Sequence, residues 1–210
     1  YGATYFQPRD ERAAMIRGVI NQFGQLVPDD NLVIKLTSIN VIRMSSYFEA
    51  YPNMPWVFMF RHPIEIMVSI MRTATGWSNS YGHSEAPGLL GLEPEHLEGV
   101  SFEEYLALGL RQMFDKALQR DNGNGLFIDY AALAPDTFAT VAQHFGIEVD
   151  ETDLHAMNNV LGTYSKDSSR QREPNPDDSI QKRSEASAAI TAAAELAEAS
   201  YHALVARAGR

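Results

Sequence analysis

The chain has 210 residues, of which 45% are hydrophobic, enough to bury one sizeable core, so we expect a single domain over residues 1–210. A formal net charge of -10 argues against a nucleic-acid partner, because the chain as a whole repels polyanions. The lack of cysteine excludes disulfides and thiolate chemistry and favours a cytoplasmic protein. No apolar run approaches the roughly 18 to 20 residues of a membrane span, so we expect no membrane partner.

Helical and extended patterns alternate in the first part of the chain. Apolar side chains at helical spacing predict a surface helix over residues 9–26. A short β-branched run predicts a buried strand over 32–36, and a second helix follows over 40–50. The continuous apolar run at 56–60 is typical of a strand covered on both faces, and Pro63 then opens a helix.

The second half continues this alternation after a long loop. Residues 76–99 hold five glycines and show no sustained period, which predicts a loop, and loops of this length are usually functional. The later predicted elements are a helix over 102–119, a strand over 125–130, helices over 135–145 and 151–161, a polar loop over 164–182 and an alanine-rich helix over 184–208. Strands alternating with helices predict an α/β fold whose mostly parallel central sheet is flanked by helices and binds ligands at the carboxyl ends of its strands.

The most informative segment is the strand at 56–60 together with the helix that follows it. Arg61 stands at the carboxyl end of that strand, where its charge faces a ligand crevice and suits a phosphate. Ser69 lies eight residues on, about two helical turns into the next helix, and offers a hydroxyl to the same anion. The alternative is that Arg61 caps a neighbouring carbonyl and Ser69 bonds to its own helix.

An Arg, a Pro two residues later and a Ser six beyond that, directly after a hydrophobic strand, resemble the 3'-phosphate-binding motif of sulfotransferases that use 3'-phosphoadenosine 5'-phosphosulfate (PAPS). The resemblance is to the bacterial branch, and it covers residues 32–182. It implies a three-layer P-loop-like fold. It also implies that Arg61 and Ser69 bind the 3'-phosphate of the donor, and that Tyr130, at the end of the strand at 125–130, lies near the adenine.

Two pieces of that family's pattern are missing. The family opens with a strand, a Gly- and Ser-rich turn and a helix that cradle the 5'-phosphosulfate, and no segment here fits. We therefore expect a chain truncated before Tyr1, or one that lacks the loop and binds the donor weakly. The family's base also has no clear counterpart, because Leu36, Thr37 and Ser38 follow Lys35 where many members place a His.

Several other residues carry hypotheses with open alternatives. In one hypothesis Lys35 stabilises the charge that builds on the leaving nucleotide. In the other, its side chain extends from the sheet to solvent. Lys166 and Arg170 close on the 3'-phosphate, or belong to solvated surface. His62 and His83 are weaker candidates for the base.

The remaining features take simpler interpretations. Trp77 and Tyr81 form an apolar acceptor wall or plug the core. The pair His96 and His155 shows no metal-ligand spacing with carboxylates, so no metal is expected. The C-terminal helix carries a stripe that packs on the sheet or on a second subunit in a homodimer: Ala192, Leu196, Ala199, Ala203 and Ala206.

The leading hypothesis is an enzyme that transfers a sulfuryl group from PAPS, its co-substrate, to a hydroxyl or amine of a small-molecule acceptor. The alternative is a non-catalytic nucleotide-binding or scaffolding module derived from the same fold. A P-loop kinase ranks lower, because no Walker lysine and no Mg²⁺-binding carboxylate after a strand is evident.

Overall fold

The computed structural model describes residues 9–26, 31–74, 76–161 and 178–209. Over these residues the chain is mixed α/β, mostly helical, with a small parallel sheet of two strands. The elements are, in chain order, α1 (Arg9–Gly24), α2 (Ser45–Ala50), β1 (Trp56–Phe60), α3 (Pro63–Arg72), α4 (Ala86–Leu90), α5 (Phe102–Gln119), β2 (Gly125–Asp129), α6 (Asp136–Phe145), α7 (Glu151–Leu161), α8 (Asp178–Ser184) and α9 (Ala188–Ala208). The α/β class is confirmed, and the sheet is smaller than the alternating pattern predicts.

The two strands run parallel and in a register that aligns their carboxyl ends. Trp56 pairs with Gly125 at one end, and Phe60 pairs with Asp129 at the other. Parallel neighbours require a long crossover, and the chain between them supplies α3, α4 and α5. Gly125 is needed at its position because a Cβ there would lie 2.7 Å from the Trp56 ring.

The core lies between the sheet and the helices that pack on one of its faces. The Phe58 ring meets Phe114 of α5 edge-on at 6.4 Å between centroids, and Phe60 meets Tyr201 of α9 at 6.0 Å. Helix α9 packs along α5 and also contacts α3 and β2. Met59 points to the opposite face and is 49% exposed, so the described residues cover that face only in part.

The predicted strand at 32–36 is wrong. Residues 31–37 have no regular secondary structure, and β1 pairs with β2 instead. The side chains of Leu32, Val33 and Ile34 are exposed rather than buried. A β-branched run fits a pleated, half-buried surface but does not supply the neighbouring strand that makes one, so the local pattern misled here.

The predicted polar loop at 164–182 is also wrong at its C-terminal end, where α8 begins at Asp178; residues 162–177 lie outside the described part of the chain. Asp178 and Lys182 are four residues apart, and their charged groups pair at 2.5 Å on one face of α8. The next helix then starts at Ala188 instead of 184, because the Ser187 hydroxyl accepts the Ile190 N–H at 3.1 Å and caps it.

Two other segments are more finely divided than predicted. The helix expected over 40–50 is a 3-10 turn (Ser38–Arg43) followed by α2. The long segment at 76–99 contains α4 between two 3-10 turns, Gly76–Ser80 and Pro94–Leu97. Gly91 ends α4 in the left-handed region at φ 66°, where a side chain is disfavoured.

Helix α9 packs on the rest of the protein with a face other than the predicted stripe. The five predicted positions are all exposed, and Leu196 is the one large apolar residue among them. The buried face consists of Ile190, Ala193, Ala194, Ala197, Ser200, Tyr201 and Leu204. The helix thus packs on α5 and β2, while a homodimer stays a prediction.

Substitution of Gly109 in α5 tests the packing of this core. A Cβ at Gly109 would lie 2.5 Å from the Trp77 ring, so Gly109→Ala forces the ring or the helix to move. We expect urea unfolding to show a loss of about 2 kcal/mol in the free energy of unfolding. Gly18→Ala in α1 is the matched control, because nothing lies within 4 Å of its Cβ and the change should stabilise the helix by about 0.5–1 kcal/mol. Equal stability of the two variants would contradict this packing.

Candidate functional site

Arg61 and Tyr130 lie side by side at the carboxyl end of the sheet. The register pairs Phe60 with Asp129, so the next residues along the two strands are Arg61 and Tyr130. The guanidinium carbon of Arg61 lies 4.5 Å from the centroid of the Tyr130 ring, within the range of a cation–π contact. Tyr130 remains 42% exposed, so this edge of the sheet is open to a ligand.

The buried carboxylate of Glu65 binds the guanidinium of Arg61. The Arg61 Nε donates to Glu65 Oε2 at 2.5 Å. Glu65 is 1% exposed and also accepts from the Ser179 hydroxyl at 3.1 Å and from Arg183 Nη2 at 2.9 Å. The three residues between Arg61 and Glu65 span the turn from β1 into α3, so the strand end and the helix start are joined by this ion pair.

A second carboxylate, from α8, occupies the outer edge of the same guanidinium. Arg61 Nη2 pairs with Asp178 Oδ1 and also lies 3.4 Å from the Ser179 hydroxyl. Asp178 is itself paired with the buried Lys182. The resulting polar cluster is Arg61, Glu65, Asp178, Ser179, Lys182 and Arg183. Its three cations and two carboxylates leave a formal charge of +1 within these six residues.

The charges of the polar cluster shift the titration of its members. Burial raises the pKa of Glu65, but the hydrogen bonds from Arg61 and Arg183 outweigh it, so the pKa lies below its ordinary value. Burial likewise raises the pKa of Asp178, and the hydrogen bonds from Lys182 and Arg61 bring it below its ordinary value. Burial lowers the pKa of Arg61, yet the same carboxylates raise it overall. All three groups therefore stay ionised at neutral pH.

A cavity of about 260 Å³ opens beside Arg61. Ser38, Phe60, Arg61, Trp77 and Tyr130 are among its lining residues. Ligand pockets are commonly 300–1,000 Å³, so this cavity suits a small group rather than a whole nucleotide. Part of any larger ligand must therefore lie on the exposed surface near Tyr130.

Ser69 shares a helix face with the polar cluster, but Glu65 stands between it and Arg61. Arg61, Glu65 and Ser69 follow one another at intervals of four residues, and positions four apart on α3 are neighbours on one face. Ser69 is half-buried, and its carbonyl accepts the Thr73 N–H at 3.3 Å as α3 ends. The structure thus places Ser69 beside Glu65 on α3, whereas Arg61 precedes the helix.

Of the other predicted site residues, Lys35 is not brought to the polar cluster. It is exposed in the irregular segment 31–37. Ser38, three residues on, does line the cavity beside Arg61. Lys166 and Arg170 lie outside the described residues.

The two histidine candidates have different environments. His62 caps α3: its Nδ1 accepts the Ile64 N–H at 3.3 Å, and its Nε2 lies 3.5 Å from Glu198. Burial and the charge of Arg183 lower the pKa of His62, which agrees with a neutral ring in this capping role. His83 is exposed and lies on a second cavity. Neither ring is placed to act on a ligand at Arg61.

The second cavity, of about 540 Å³, is formed by the long segment 76–99 and the start of α5. Tyr81 and Tyr105 are among its lining residues, and Tyr81 donates to the Val100 carbonyl at 2.9 Å. Tyr105 donates to the Trp77 carbonyl at 3.0 Å, and its pKa is raised to about 12 by burial and by Glu85. Trp77 lines the cavity beside Arg61, so these aromatic residues separate the two cavities and also pack the core.

Sequence reasoning missed five residues of the polar cluster. Glu65 carries a signal that we did not use: it is a charged residue four positions after Arg61 at the start of a helix. The other four come from α8, more than one hundred residues later in the chain, and no local pattern connects them with Arg61. They are Asp178, Ser179, Lys182 and Arg183.

Comparison of the chain with known protein families, curated proteins and solved structures finds no match. Within the described ranges there is no cluster of three or more His, Cys, Asp or Glu side chains able to hold a metal ion. No helix in that part of the chain is long and apolar enough to cross a membrane. The class of protein that the fold and site define is therefore no finer than a mixed α/β protein with a polar cluster at the carboxyl end of its sheet.

Glu65→Gln tests whether the buried carboxylate holds the polar cluster together. We expect a loss of about 2 kcal/mol in the free energy of unfolding at pH 7, because a buried ion pair is broken while Arg61 keeps Asp178. Glu95→Gln removes an exposed carboxylate and should change stability by less than about 0.5 kcal/mol. A Glu65 variant as stable as the Glu95 variant would contradict this role.

The pH dependence of the stability that the Arg61–Glu65 ion pair provides gives an independent check. The folded pKa of Glu65 is lowered, so its stabilisation is fully present above the ordinary value of 4.5 and is lost as the pH falls through the folded value. Urea unfolding between pH 7 and pH 3 should therefore show the gap between wild type and Glu65→Gln closing below about pH 4.5. A gap that stays constant down to pH 3 would show that folding does not lower the pKa of Glu65.

Proposed function

We propose that the protein is a PAPS-dependent sulfotransferase that transfers a sulfuryl group to a hydroxyl or amine of a small-molecule acceptor. One observation supports this most: Arg61 and Tyr130 lie together at the carboxyl ends of two adjacent parallel strands. A cation and an aromatic ring at that edge suit the phosphate and the base of a nucleotide. The net positive charge of the polar cluster adds to this in a chain that is acidic overall.

In this proposal each site residue has a defined role. Arg61 and Ser69 bind the 3'-phosphate, and Tyr130 stacks near the adenine. Lys166 and Arg170 close over the phosphate. Lys35 stabilises the charge on the bridging oxygen that leaves, although in the described structure Lys35 is exposed and must approach from the segment before Ser38.

The proposed reaction balances without a metal or an oxidant. The acceptor oxygen or nitrogen forms a bond to sulfur, and the bond from sulfur to the bridging phosphate oxygen breaks. Adenosine 3',5'-bisphosphate leaves with that electron pair. The acceptor proton passes to a general base or to water.

The finer fold and the location belong to the same proposal. A three-layer P-loop-like fold agrees with β1 and β2 running parallel and with α3, α5 and α9 packing together over one side of the sheet. In that arrangement the half-exposed Met59 would lie under a further layer. A chain without cysteine also suits a reducing cytoplasm.

A second candidate function is a non-catalytic nucleotide-binding or scaffolding module. The observation that favours it is the state of Arg61, whose guanidinium is already bound by Glu65 and Asp178. The separation of Lys35 from the polar cluster points the same way. Nucleotide binding without transfer would fit this candidate, and no nucleotide binding would leave scaffolding.

Calorimetric titration of adenosine 3',5'-bisphosphate into the folded chain tests the proposal. We expect binding that is selective over adenosine 5'-monophosphate, since only the bisphosphate carries the group that Arg61 recognises. Arg61→Gln should weaken it about 10-fold to 100-fold, the range of one charge-assisted hydrogen-bonding contact. Arg111→Gln removes the same charge from an exposed pair on α5 and should leave affinity within about twofold.

Two results would count against the proposal. Equal affinity for bisphosphate and monophosphate would mean that no 3'-phosphate site exists. Equal losses in the Arg61 and Arg111 variants would mean that overall charge, rather than this site, attracts the nucleotide. Circular dichroism of each variant must first show that it is folded.

A further inference from the structure

Asp178 occupies the edge of the Arg61 guanidinium at which a phosphate would bind. The Arg61 Nε is directed at Glu65, and Nη2 is directed at Asp178 and the Ser179 hydroxyl. A phosphate oxygen and a carboxylate oxygen accept the same hydrogen bonds from a guanidinium. Asp178 therefore meets the donor requirements of Arg61 in the way a bound phosphate would.

The two carboxylates on Arg61 differ in how firmly they are held. Glu65 is 1% exposed and is bound by Arg61, Arg183 and Ser179. The side chain of Asp178 is 26% exposed and stands at the start of the seven-residue α8. Glu65 is therefore shielded from water, whereas the side chain of Asp178 already borders it.

We propose that Asp178 is an intramolecular competitor of the phosphate that Arg61 binds, and that a phosphate monoester enters this site by displacing the Asp178 carboxylate. This inference rests on the proposed function only for the identity of the nucleotide. Displacement leaves Glu65 in place to orient the guanidinium. It also releases Lys182, whose amine pairs with Asp178 at 2.5 Å, as a second cation for the incoming anion.

Because of this competition, the apparent binding constant equals the intrinsic constant multiplied by the fraction of molecules in which Arg61 is free. A charge-assisted contact of this kind keeps that fraction at roughly one in ten or less. Asp178→Asn removes the competing charge while preserving the size of the side chain. It should raise the affinity for adenosine 3',5'-bisphosphate about tenfold or more.

The matched control is Glu185→Gln. Glu185 directly follows α8 and pairs with Arg72 at the other end of α3. Its substitution removes one negative charge and one ion pair between the α8 region and the α3 region, without touching Arg61. A gain in nucleotide affinity that came from net charge or from a loosened α8 would therefore appear in this variant as well. We expect Glu185→Gln to show no gain.

The experiment titrates three probes into wild type, Asp178→Asn and Glu185→Gln: adenosine 3',5'-bisphosphate, adenosine 5'-monophosphate and inorganic phosphate. A gain of tenfold or more for the bisphosphate in Asp178→Asn alone supports the competitor. Equal affinities in wild type and Asp178→Asn overturn it, and bisphosphate-selective binding would still support the proposed function. A gain for all three probes alike keeps the competitor and counts against a 3'-phosphate site. No binding to a folded Asp178→Asn overturns both.

A measurement on wild type covers the case in which Asp178→Asn does not fold. Backbone amides of residues 178–184 should exchange with deuterium faster when adenosine 3',5'-bisphosphate saturates the protein, because α8 loses its contact with Arg61. The amides of α5 should be unaffected and serve as the internal reference. Exchange in 178–184 that is unchanged, or slower, with bound nucleotide would overturn the displacement.

Discussion

The buried ion pair between Arg61 and Glu65 is the interaction on which the rest of the site depends. It joins the end of β1 to the first turn of α3, and through Arg183 it attaches α8 to the same point. A buried carboxylate is costly unless its charge and its hydrogen bonds are satisfied, and Glu65 has three donors. This arrangement directs the remaining edge of the guanidinium toward the carboxyl end of the sheet, where ligands of parallel α/β proteins bind.

Arg61 thus has a structural side and, in the proposed function, a binding side. The structural side is fixed by Glu65, and the binding side faces Asp178, the ring of Tyr130 and the small cavity. An arginine held in this way does not need to be reoriented when an anion arrives, which reduces the entropic cost of binding. The same geometry allows the protein to compete for its own site, because a carboxylate from α8 fits where a phosphate oxygen would.

Local patterns predicted much of this fold and little of this site. The apolar run of β1, the proline that opens α3 and the periodicity of α5 are properties of adjacent residues, and those elements are confirmed. The strand predicted at 32–36 failed because a strand also needs a neighbour, which a short β-branched run does not specify. Arg61 was found from its place at a strand end, whereas Asp178 is brought to it by folding across more than one hundred residues.

The most direct test of the account is a crystal structure of the chain with bound adenosine 3',5'-bisphosphate. The account predicts that the 3'-phosphate accepts hydrogen bonds from Arg61 Nη2, that Glu65 keeps its bond to Arg61 Nε, and that the Asp178 carboxylate has moved to solvent. A nucleotide bound elsewhere, with the contact between Arg61 and Asp178 intact, would contradict both the phosphate site and its competitor.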